Sequence, residues 1–286
     1  MTIPSFDPGA TDPRRGLTSR AVGLADVPGI RRVSQAAGQP DADSGADDAY
    51  VELLLQTATV RVVEDPLTGA VVAWGAIRSG PLGSMLTDLF VHPDHHGRGM
   101  GGVLLRALWP EHTAPGRFTF SSQHPSALPL YARAGLQPSW PLLYLSGPSA
   151  LLPPSPMQVQ RVDAAVACDV DSQLASGNRS SDYGFWTRSG SGQAIVVQDG
   201  DRTVAVGVLR GGNLVHLTCS ESDADTALTA ALRANEAANI TVCLPGRHPS
   251  VTSLLRAGFR IIDYDLAMST PDLALPLAWA YSPGLG

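Results

Sequence analysis

The chain has 286 residues, 44% of them hydrophobic and 16% charged, with a formal net charge of −6 at pH 7. At about 100–200 residues per domain this is apolar material for two buried cores, and it excludes a chain disordered throughout. The acidic balance and the lack of a local basic patch exclude nucleic acid as an expected partner, and no apolar run approaches the roughly 18 residues of a membrane-spanning helix.

Residues 1–16 hold Asp, Pro, Gly and Arg but no apolar stretch, which predicts a flexible lead and not a signal peptide. Residues 17–22 are expected as a short strand. Ala25-Asp26-Val27-Pro28 then opens a helix with Asp26 placed at its N-cap. The acidic, small residues 41–48 read as a loop, and the apolar residues 50–55 as a second short helix. Residues 61–64 and 70–78 read as strands paired across the turn Leu67-Thr68-Gly69. Residues 86–91 form a further strand, stopped by Pro93 and Asp94. After a glycine-rich turn, Val103, Leu104, Ala107 and Leu108 recur at helical spacing. Residues 146–156 contain four prolines, one glycine and three serines. Such a stretch is not expected to continue a helix or a central strand, so a domain boundary is placed there, between 17–147 and 157–286. The fold class is mixed α/β.

The two sides of that boundary rhyme. Val72-Ala73-Trp74-Gly75-Ala76-Ile77-Arg78 matches Val204-Ala205-Val206-Gly207-Val208-Leu209-Arg210, and residues 86–91 match 214–219. Leu105-Arg106-Ala107 matches Leu232-Arg233-Ala234. His124-Pro125-Ser126 through Arg133-Ala134-Gly135-Leu136 matches His248-Pro249-Ser250 through Arg256-Ala257-Gly258-Phe259. Four matches in one order, at a slowly drifting offset, are what a duplicated domain with small loop deletions gives.

The chemistry concentrates in the first copy. Gly97, Gly99, Gly101 and Gly102 lie between a strand and a helix. The first N–H groups of a helix have no internal acceptor and carry partial positive charge, and glycine lets a ligand approach the backbone closely. That combination cradles a pyrophosphate, and Arg98 adds a full charge. The spacing is neither a Walker loop nor a dinucleotide-binding fingerprint.

The stretch resembles the signature of the GNAT superfamily of N-acetyltransferases. That signature is Gln or Arg, two variable residues, Gly, one variable residue, then Gly or Ala, after a strand of the type acidic-Leu-aromatic-Val-x-Pro. It falls here on His96, Gly97, Arg98, Gly99, Met100 and Gly101, after Asp88-Leu89-Phe90-Val91-His92-Pro93, with His96 replacing Gln or Arg. A second landmark, Ala-x-x-x-Tyr-x-x-x-Gly-Phe, is met by Ala127, Tyr131, Gly135 and Leu136, with Leu for Phe. The resemblance implies two tandem GNAT-like domains and direct transfer of an acetyl group from acetyl-CoA to a primary amine, with no covalent enzyme intermediate. It implies a pyrophosphate on residues His96 to Gly102, and a pantetheine arm along Leu89, Phe90 and Val91 where the strand splays from its neighbour. A backbone N–H near Leu89 or Phe90 would polarise the thioester carbonyl.

Tyr131 is the candidate acid for the departing thiolate, against the plainer reading of a core tyrosine. Asp88 is the candidate for holding or deprotonating the amine, against that of a solvent-facing edge acid. His92, His95 and His96 diverge in a turn and are not expected to bind a metal. Cys168, Cys219 and Cys243 form no paired motif and read as reduced thiols of a cytoplasmic protein. In the second copy, Ala224, Asp225, Thr226 and Leu228 replace Gly97, Arg98, Gly99 and Gly101; Leu254 replaces Tyr131, and His216 replaces Asp88. Residues 157–286 are therefore expected to keep the fold and to have lost the cofactor site. Tyr183, Phe185 and Trp186 read as core packing, and residues 278–284 as a tail that packs back on the body. The resulting expectation is an N-acetyltransferase acting on a small-molecule amine, a monomer or homodimer. The alternative is a non-catalytic CoA-binding sensor or scaffold.

Overall fold

The computed structural model describes residues 18–39, 44–110, 116–175, 177–188 and 192–286, without the side chains of residues 44–48. Residues 1–16 and 41–43, and Ser176, lie outside the described residues. The first half runs β1 (Ser19–Ala21), α1 (Val27–Ala36), α2 (Ser44–Thr57), β2 (Thr59–Glu64), β3 (Val71–Gly80), β4 (Gly83–Val91), α3 (Met100–Leu108), β5 (Arg117–Ser121), α4 (Ala127–Arg133) and β6 (Gln137–Pro148). The second runs β7 (Gln158–Val162), α5 (Ala164–Ala175), α6 (Ser180–Arg188), β8 (Gln193–Asp199), β9 (Arg202–Arg210), β10 (Asn213–Cys219), α7 (Ala224–Arg233), β11 (Asn239–Pro245), α8 (Val251–Arg256) and β12 (Arg260–Ser269).

All twelve strands join one mixed sheet in the order β1-β2-β3-β4-β5-β12-β6-β11-β10-β9-β8-β7. The duplication is visible in its register. Both halves carry the same antiparallel pair with the same irregularity: Ile77 faces Leu86 and Ala76 faces Asp88, as Leu209 faces Leu214 and Val208 faces His216. Both then pair the second of these strands in parallel with the next one, β4 with β5 and β10 with β11. The last strands are exchanged. β12, from the second half, lies beside β5, and β6, from the first half, lies beside β11. The sheet is thus not divided where the sequence suggests a boundary.

That exchange corrects the expectation for residues 146–156, since Ser146, Gly147 and Pro148 end a central strand. β12 reaches only as far as Ser146, while Gly147 and Pro148 pair with β11 alone, and a proline lacking an N–H is tolerated at such an end. Gly147 is needed there because a Cβ would stand 2.5 Å from the ring of Phe259. Two further expectations change. Residues 44–48 are helical, as the N-terminal part of α2. Asp26 does not cap α1 with its side chain. Its carboxylate instead accepts the Gly23 N–H at 2.9 Å and two Arg20 hydrogen bonds at 2.7 Å, closing the short 3-10 turn at Leu24–Asp26.

The tail packs back as expected. Ala280 exchanges backbone hydrogen bonds with Leu217, and the Tyr281 N–H donates to the Cys243 carbonyl. Tyr183 and Trp186 are buried core residues. Beside them lies a buried charged cluster that joins the halves. Arg78 of β3 pairs with Asp182 of α6 at 2.5 Å, and Arg179 lies 3.5 Å from Asp171 and 3.7 Å from Asp182. Arg179 also donates to the Gly286 carbonyl at 3.2 Å and stacks over the Trp279 ring.

Candidate active site

The site is organised by a split in the sheet. β4 pairs with β5 only at Ser84–Arg117 and Met85–Phe118, and beyond the Thr119 hydroxyl, which donates to the Leu86 carbonyl at 2.9 Å, the two strands part. The His92 N–H donates to the Val72 carbonyl at 2.8 Å. Donor direction alternates along an antiparallel strand, so the N–H of Phe90 also faces β3, while those of Leu89 and Val91 face the open edge. Of the two backbone donors expected near the thioester, only Leu89's points into the split. The Phe90 side chain packs on Trp74, with ring centroids 5.6 Å apart.

The glycine turn follows directly. Gly97 and Gly99 take φ of +76° and +84°, and Gly99 is the N-cap of α3. L side chains rarely adopt this conformation. A Cβ on Gly97 would meet nothing within 4 Å, so that face of the turn is open. Gly101 has a packing role as well, since a Cβ would lie 3.2 Å from Leu130 of α4. The first backbone bond onto the helix runs from the Val103 N–H to the Gly99 carbonyl at 3.1 Å, and the N–H groups of Met100, Gly101 and Gly102 precede it, without helical acceptors. Their donors and the exposed Arg98 suit a diphosphate. Two of the polar groups of His96 are used within the turn. Its N–H donates to the Pro93 carbonyl at 3.0 Å, and Nε2, 2.8 Å from the Val91 carbonyl, donates there. It pins the turn to the end of β4. His95 points elsewhere, toward Arg98 and Asp65.

At the other end of the split lies a cleft of about 310 Å³ that Asp88 and Tyr131 both line. Asp88 is half-buried and accepts a hydrogen bond from the Tyr50 hydroxyl at 2.8 Å. Burial pushes its carboxyl up to about 6, and the Tyr50 hydrogen bond works against that rise. The Tyr50 hydroxyl also lies 3.2 Å from the Gly284 carbonyl, a second acceptor for the same hydrogen, which brings the tail to the site. Tyr131 is 7% exposed and packs among Met100, Leu104 and Leu136, and burial raises its phenol above the ordinary value. No described residue hydrogen-bonds its hydroxyl. Three lining residues were not legible as site residues: Tyr50, Tyr144 and Asp265. Tyr144 donates to Asp265 at 2.7 Å. Both sit on the exchanged strands, so no local pattern signals them.

The corresponding places in the second half are filled. Asp223, at the N-cap of α7, accepts a two-pronged bond from Arg202 at 2.9 and 3.0 Å and a third hydrogen bond from Ser220. Those bonds, Arg202's first, hold its carboxyl down at about 2. The structure shifts the sequence matching here: Asp223 caps α7 where Gly99 caps α3, so Ala224 stands in place of Met100 and not of Gly97, and it is fully buried, as is Leu254 in place of Tyr131. His216, at the position of Asp88, is completely buried and stacked on Trp186 at 5.1 Å.

Residues 56–138 match the family model of the acetyltransferase (GNAT) domain. Among solved structures, an acetyltransferase candidate from Pyrococcus horikoshii superposes with a TM-score of 0.71 at 14% identity, covering 93% of this chain and 94% of that one. A tandem GNAT protein from the clavulanic acid biosynthesis pathway gives 0.60 at 15% identity, over 91% of this chain and 99% of that one. A GCN5-related N-acetyltransferase from Anabaena variabilis gives 0.61 at 13% identity, over 88% and 72%. A sequence comparison with curated proteins gives no match. No helix among the described residues is long and apolar enough to cross a membrane.

Proposed function

We propose that this protein, whose fold is that of tandem GNAT proteins and whose first half carries a GNAT acetyltransferase domain, transfers an acetyl group from acetyl-CoA directly to a primary amine of a small molecule. The observation that carries this reading is the split between β4 and β5, with a helix N-terminus of free amides at one end and a carboxylate and a buried phenol at the other. Acetyl-CoA supplies a thioester, an activated acyl donor. Met100, Gly101, Gly102 and Arg98 hold its diphosphate, and the Leu89 N–H donates to the acyl oxygen as charge grows there. Asp88, helped by Tyr50, takes a proton from the attacking ammonium or amine, directly or through water. As the new C–N bond forms and the C–S bond breaks, Tyr131 gives its proton to the sulfur. The test is thiol release from acetyl-CoA across a panel of amines.

Asp88 must be ionised to act as a base. Its carboxyl at about 6 therefore predicts that kcat/KM rises about tenfold per pH unit below pH 6 and levels off above it. Asp88→Asn removes that acid limb and lowers kcat about 100-fold. A wild-type profile flat between pH 5 and 7, or a limb that survives the substitution, would rule out this role.

Calorimetry should find one CoA per chain, because the first turn of α7 offers side chains where α3 offers amides. Gly99→Val forces a branched side chain onto φ of +84°, a strain of about 1–3 kcal/mol. It should weaken CoA at least fivefold. Two CoA per chain, or undiminished affinity in the variant, contradicts the placement.

A further inference from the structure

We infer that the acceptor is a dication, a slim molecule carrying the amine to be acetylated and a second ammonium group held by Asp265 of the second half. This rests on the cleft being the acceptor side of an acetyltransferase. Asp88 arrives on β4 from the first half, and Asp265 on the exchanged strand β12. Each is half-buried and each accepts one tyrosine hydroxyl, from Tyr50 and Tyr144. Neither makes an ion pair with a described residue. The nearby guanidinium of Arg78 is already held by Asp182 at 2.5 Å, and the described residues lining the cleft include no Lys, Arg or His. A half-buried carboxylate without a counter-charge is costly, and a bound ammonium removes that cost. A monocation would answer only one of the two. Independently of the charges, Tyr131, a residue only 7% exposed whose hydroxyl has no hydrogen-bond partner among the described residues, lines the same cleft, so its phenol opens onto the space where acyl donor and acceptor meet. The same lining includes the aromatic residues Phe90, Phe120 and Tyr131, which suit methylene groups and can flank a cation favourably.

The experiment compares 1,5-diaminopentane, pentylamine and 5-aminopentan-1-ol on the full chain. It follows thiol release from acetyl-CoA and, separately, calorimetric binding without acetyl-CoA. The diamine should exceed both monoamines at least tenfold in kcat/KM and in affinity. Asp265→Asn, which still accepts from Tyr144, should cut the diamine-to-monoamine ratio at least fivefold in both measurements, with an unchanged melting temperature reporting an intact fold. Tyr144→Phe, which keeps the charge, should retain most of the ratio. Equal handling of diamine and monoamine, or a ratio untouched by Asp265→Asn, overturns the inference while acetyl transfer stands. Asp265-dependent diamine binding with no thiol release overturns acetyl transfer and leaves the dicationic site standing. A diamine that is neither bound nor acetylated overturns the inference.

Discussion

Replacing Tyr131 with Phe should lower kcat by about 10²- to 10⁴-fold, the range for loss of a positioned general acid, and leave the dissociation constant of CoA within about a factor of two. The substitution removes one oxygen and little else. The ring sits in a cluster with Met100, Leu104, Leu105 and Leu136, which Phe fills equally well. The hydroxyl has no hydrogen-bond partner among the described residues, so its removal strands no buried donor or acceptor, and stability should change by less than about 1 kcal/mol. The raised phenol stays protonated across the working pH range, as a donor must. The diphosphate amides are at the other end of the split, so binding and turnover separate cleanly. Single-turnover acetyl transfer to a good acceptor, together with calorimetry of CoA, measures both. Unchanged kcat assigns protonation of the sulfur to water. Intact CoA binding with no turnover in the wild-type chain would favour a non-catalytic CoA-binding protein.

The parts of the site legible in the sequence are those whose physics is local. Glycines at 97 and 99 announce a positive φ, and the apolar spacing from Val103 announces a helix, so a cradle of amides could be placed from a short window of residues. Asp88 stood out as a carboxylate entering an apolar strand. The hydrogen bond of His96 was not legible, because a side chain's partner, here the Val91 carbonyl five residues back, depends on how the turn closes. The duplication was legible because alternation and small residues survive divergence, down to the shared irregularity at Asp88 and His216. The strand exchange was not. Whether β6 pairs with β5 or with β11 leaves its own alternation unchanged, since its face to the core is the same either way. Asp265 and Tyr144 therefore reached the cleft through a non-local pairing that no window could reveal. Nor could composition separate a buried ion cluster from surface charge: Asp171 on α5, Arg179 just ahead of α6 and Asp182 on α6 come together only when the two helices pack, and all three are buried.

That cluster carries the largest expected effect on stability. Arg179→Ala should cost about 3–5 kcal/mol, the range for breaking a buried ion pair by removing one partner. Arg179 is 3% exposed, and Asp171, completely buried, lies 3.5 Å from it. Asp182 keeps Arg78 at 2.5 Å when Arg179 is lost. Among the described residues Asp171 keeps the Thr218 hydroxyl and His216, 4.0 Å away, neither of them a cation. Burial, and then the repulsion of Arg179, depresses that imidazole well below its ordinary value, so it is neutral at pH 7. The deficit must therefore depend on pH. Burial raises the Asp171 carboxyl, and Arg179 opposes that rise; without the arginine the rise is larger. A carboxyl whose folded value lies above its unfolded one destabilises most at pH above both and is relieved as pH falls and it takes up a proton. Losing Arg179 also lets His216 charge more readily. The loss in Arg179→Ala should consequently be smaller at pH 5 than at pH 7, as read by urea denaturation. Asp171→Asn/Arg179→Met, which removes both charges at similar volume, should recover more than half of it. A single-variant loss under about 1 kcal/mol, or a double variant no better than the single, would mean that water reaches the cluster and that the halves are joined chiefly by their exchanged strands.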